Sequence, residues 1–167
     1  MGRHLMELQP TIIHFSGHGA RGGLAQRRSS SMRDIGIAAP GHGGICLRSE
    51  QGRIHVVTAH GLARMIDSST ESARVVVLNS CYSDAQAREL CGVVDCVVGT
   101  SGPIHDHHAR CFAVGFYRAL GNRRSVGQAL EHAVATLTAK QLASQWGPRL
   151  RTRTGIDPDR LVLTAAI

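Results

Sequence analysis

A chain of 167 residues with 43% hydrophobic and 19% charged residues has the length and balance of one globular domain, and it contains no apolar run long enough to span a bilayer. Aromatic residues are only 4%, so a core has to be built from Val, Ile, Leu and Ala. The net charge of +7 invites an anionic partner, yet the arginines are scattered and no basic stripe interleaved with aromatics occurs, which favours a solvated basic surface over nucleic-acid binding.

The N-terminal stretch lacks the apolar segment of a signal peptide. A cytoplasmic location without disulfides is therefore expected for the five cysteines, Cys46, Cys81, Cys91, Cys96 and Cys111.

In chain order, the β-branched run Thr11 to Phe15 reads as a buried strand that ends in the tight turn Ser16-Gly-His-Gly19. Residues 20–43 are rich in Gly, Arg and Ser and read as a long flexible loop. Gly44 to Leu47 and Arg53 to Val57 flank a turn and form a hairpin. Thr58 then caps a helix through about Ile66, with Leu62, Met65 and Ile66 on one face. The continuous apolar run Arg74 to Asn79 is the clearest strand and is expected to be covered on both faces.

A helix over Asp84 to Leu90, a short strand over Val93 to Val98, and a helix over His105 to Leu120 ended by Gly121 and Asn122 follow. Ser125 caps a further helix to about Ser144, and a final strand is expected over Leu161 to Ala165. Helices alternating with apolar strands predict an α/β fold with a mainly parallel sheet, in a single domain over 1–167.

Sites in parallel sheets form at the carboxyl ends of strands. Two such ends carry chemistry: one presents His18 and the other Cys81, 63 residues later, enough for a loop, a hairpin and a crossover helix between neighbouring strands. A thiolate beside an imidazole is a nucleophile with its acid/base partner. The amides of Gly19 and Cys81 could face a developing oxyanion. Taken alone, Cys81 also fits a packed thiol and His18 a turn residue.

His-Phe-Ser-Gly-His-Gly at 14–19 followed by Val-Val-Val-Leu-Asn-Ser-Cys-Tyr-Ser at 75–83 resembles the CHAT family, a branch of the caspase-like clan. The similarity continues through residues 94–100, 104–106, 112, 115–120 and 125–130, so that it covers about 8–140. It implies a caspase-like three-layer sandwich with His18 and Cys81 as the catalytic dyad, oxyanion donors at Gly19 and Cys81, and a structural core role for His14. The implied activity is that of a bacterial cysteine endopeptidase acting on protein or peptide substrates, without cofactor. A non-catalytic caspase-like interaction module within a signalling assembly is the alternative.

Asp84 and Asp106 are positioned either to bind a basic P1 residue or to favour a helix dipole. His105, His107, His108 and Cys111 lie close together but lack a paired CxxC, so no metal site is expected. Only about ten residues precede the first strand, where the family has two further strands. The resemblance therefore implies a truncated domain, completed by a partner chain or an additional domain. Arg27 and Arg28 would offer a self-cleavage site in the long loop, although a flexible solvated loop is the favoured explanation of them.

Overall fold

A computed structural model describes residues 2–20, 43–49, 51–142 and 147–163. The elements are α1 (Gly2–Leu8), β1 (Ile12–Ser16), β2 (Gly19–Ala20), β3 (Gly44–Arg48), β4 (Ile54–Thr58), α2 (Ala59–Asp67), β5 (Val75–Asn79), α3 (Asp84–Leu90), β6 (Cys96–Thr100), α4 (Asp106–Gly121), α5 (Val126–Ala139) and β7 (Pro148–Thr152). The main sheet has the order β1-β5-β6-β7. β1, β5 and β6 run parallel, and β7 is antiparallel to β6. The fold is the expected mixed α/β sandwich around a mainly parallel sheet.

The all-apolar reading of β5 has a direct structural meaning, because each of its residues is buried. Side chains alternate along a strand. Val75 and Val77 join Phe112, Phe116, Val126, Ala129 and Ala133 of α4 and α5 in one core. Val76 and Leu78 join Leu62, Ile66, Ala87 and Leu90 of α2 and α3 in the other. Two apolar layers on opposite faces fix the register, since a one-residue slip would exchange them.

The hairpin forms as expected, but β3 and β4 pair with β2 in a separate small sheet. Thr58 caps α2 through its hydroxyl, which accepts from the Gly61 amide. Helix α1 was not foreseen; it spans 7 residues and buries only Leu5.

Three boundaries differ from expectation. β6 begins at Cys96 because residues 91–95 close α3 in a turn, with the Val93 and Val94 amides donating to Leu90 O. α5 stops at Ala139, where Gln141 takes a left-handed φ of 57° and the Leu142 amide bonds Leu137 O. The last strand is β7 at Pro148–Thr152, whereas residues 161–163 form no strand; 164–165 lie outside the described residues. Leu161 instead caps the core, accepting at its carbonyl from the Val126 amide. The long-loop expectation, with Arg27 and Arg28, falls on 21–42, also outside the described residues.

Candidate active site

The parallel pairing of β1 and β5 brings the two turns together. Ser16 is in register with Asn79, so His18 and Cys81 each lie two residues beyond paired strand ends. The register continues into the turns, where the Gly17 amide donates to Asn79 O at 3.4 Å. Gly19 then passes so close to Cys81 that a Cβ on it would stand 1.9 Å from the Cys81 carbonyl oxygen. Only glycine permits that approach.

The small sheet anchors the histidine side. The Cys46 amide donates to His18 O at 2.9 Å. That bond makes Gly19 and Ile45 a non-hydrogen-bonded antiparallel pair, which leaves the Gly19 amide free of β3. The His18 side chain is exposed.

The cysteine turn is held by a buried polar network. Ser83 Oγ lies 3.0 Å from both Leu78 O and Ser80 O and accepts from the Thr100 amide. Thr100 Oγ1 donates to Ser80 O at 2.6 Å, and Asn79 Nδ2 donates to Ala109 O at 2.9 Å. Tyr82, the residue after Cys81, has a left-handed φ of 55° and donates its amide to Gly102 O. Such a conformation in a bulky residue costs about 1–2 kcal/mol and tends to be kept at functional turns. Ser80 Oγ is buried with no partner among the described residues.

The 101–105 loop closes over the sulfur. The Ile104 amide donates to Cys81 Sγ at 3.4 Å, and Sγ lies 3.7 Å from Ile104 O. Among the described residues, no hydrogen bond joins the His18 ring to the Cys81 thiol. Ile104 falls within the 104–106 resemblance, but sequence assigned it no role because it works through its backbone.

The two candidate P1 carboxylates have different surroundings. Asp84 is hydrogen-bonded by Arg88 and by Arg151 of β7, at 2.9 Å to each. Burial works to raise its carboxyl, but the two guanidinium groups outweigh burial and hold it below the ordinary carboxylate range. Arg151 was not recognised from sequence because its strand was not. Asp106 is exposed and opens α4, two residues beyond the amide that touches the sulfur.

His14 is not a core residue. It keeps an exposed face and stacks on Tyr117, with Nδ1 2.7 Å from the phenol oxygen. Partial burial lowers the imidazole pKa and pushes the phenol up to about 12. Among the described residues, no three His, Cys, Asp or Glu side chains are grouped to hold a metal ion. Likewise, none of their helices is long and apolar enough to cross a membrane.

The CHAT domain family model matches residues 3–150, and the chain belongs to that family. The caspase-like assignment of the sandwich fits this membership. Comparison with curated proteins returns no match.

Proposed function

We propose that the protein is a cysteine endopeptidase with a Cys81–His18 dyad. The observation that carries this reading is the in-register extension of β1 and β5, with Gly19 fitted against the Cys81 carbonyl. In the proposed reaction the Cys81 sulfur attacks the scissile carbonyl and the Gly19 and Cys81 amides hold the oxyanion. His18 then protonates the leaving amine, and water hydrolyses the thioester.

Specificity for a basic P1 residue would rest on Asp106, because both Asp84 oxygens are engaged by arginines. Asp106→Asn is expected to remove a preference for Arg or Lys at P1, and Asp84→Asn to leave it. Cleavage only after apolar or acidic residues would sink the basic-P1 reading.

The test of the activity is labelling by peptide ketones, read by mass spectrometry. Modification confined to Cys81 and lost in His18→Ala supports the dyad. The contacts of Sγ with Ile104, in place of the His18 ring, favour a second reading, a non-catalytic interaction module. Slow and equal labelling of several cysteines would select that module.

A further inference from the structure

Away from Cys81, the end of α4 and the first turns of α5 enclose an open groove of about 790 Å³. Arg118, Arg123, Arg124, Glu131 and His132 line it, with Ala119 among them. The three arginines are exposed, and the ion pairs among the described residues all lie elsewhere.

Helix electrostatics accounts for part of this charge, since a cation in the last turn of α4 is favourable there. It does not account for Arg123. The Arg123 amide bonds Leu120 O at 2.9 Å and the Arg124 amide bonds Ala119 O at 3.1 Å. This is the Schellman closure, whose left-handed position is usually glycine. Here that position is Arg123, with φ 58°. The chain accepts an unfavourable backbone conformation at the residue that adds a third guanidinium to the groove.

We infer that this groove binds an acidic peptide segment of a partner protein. Guanidinium forks match carboxylates in pairs. The lining holds no Phe, Tyr or Trp for bases to stack on. Helix α4 has 16 residues, so the groove stands about 24 Å from the end of the helix next to Cys81. A docked segment therefore leaves Cys81 accessible, and the inference does not depend on peptidase activity.

The test is fluorescence anisotropy on the full chain carrying Cys81→Ala. The probes are a labelled peptide of alternating Glu and Ala, its Gln counterpart, and a single-stranded oligonucleotide of equal charge. The Glu peptide is expected to bind with salt-sensitive affinity, and the Gln peptide not to bind. Arg118→Gln with Arg124→Gln should weaken binding by about tenfold or more. Arg123→Gly separates function from structure, because it should raise Tm while weakening the peptide. No binding, equal binding of both peptides, tighter binding of the oligonucleotide, or indifference to the arginine substitutions would each overturn the inference.

Discussion

A methyl group is enough to separate the two halves of the site. In Gly19→Ala the added Cβ would meet the Cys81 carbonyl oxygen, which belongs to a turn pinned by Ser83 and Thr100 and so has little room to yield. The His18 turn has to move instead. Small displacements of catalytic groups can cost about a hundredfold in rate. Gly19→Ala is therefore expected to retain the native circular dichroism while losing His18-dependent labelling of Cys81; undiminished labelling would contradict the packing described. The remaining thiols set the background for that measurement. Burial raises Cys46 and Cys91 above the ordinary thiol range and pushes Cys96 up to about 11. These three hold little thiolate near neutral pH, so a small alkylating agent should modify them later than Cys81. Peptide mapping over time gives the order directly.

Helix α3 and strand β7 are tied to each other by one carboxylate. Asp84 opens α3 and takes Arg151 from β7 and Arg88 from the next turn of its own helix. Both arginines keep contact with solvent, so the pairing is screened, and Asp84→Ala is expected to cost about 1–2 kcal/mol at neutral pH. The sign with pH follows from the lowered carboxyl. Its contribution is complete above the unfolded value of 3.8 and is lost as pH falls below it through the folded value. Denaturation of wild type and variant should therefore converge in acid, and a gap that persisted there would point to packing instead. The same elements show where local pattern stops being informative. β5 was legible because a strand buried on both faces must be apolar throughout. β7 was not, because an edge strand written Pro-Arg-Leu-Arg-Thr carries its apolar signal on one residue and draws its stability from the β6 ladder and from Asp84. The end of α4 was legible from Gly121 and Asn122, whereas the end of α5 was misread because it closes with a left-handed residue that is not glycine, Gln141. For the site, His18 and Cys81 stood out as residue types at strand ends, whereas the contributions of Ile104 and Gly102 run through backbone atoms that sequence does not display.

At the scale of the molecule, the sheet has two different margins. β7 closes one with charged side chains, a device that discourages further pairing. β1 forms the other, and among the described residues nothing pairs with its outer side. The Val75 amide bonds Thr11 O and the Gly17 amide bonds Asn79 O. Parallel pairing then assigns the odd-numbered residues of β1 to β5 and turns the backbone groups of Ile12, His14 and Ser16 outward. An edge with free donors and acceptors is a template for another strand, and we propose that a partner chain or a further domain pairs with it. In its absence, two copies of the chain should use the same edge. Sedimentation at increasing concentration is expected to show self-association. Ile12→Pro should suppress it, because proline is tolerated at the first residue of an edge strand whose N–H faces away from the ladder. The substitution leaves the Ser16–Asn79 register untouched, so Cys81 labelling should persist in the monomer it produces. A wild-type chain that stays monomeric at every concentration would remove the case for strand addition at β1.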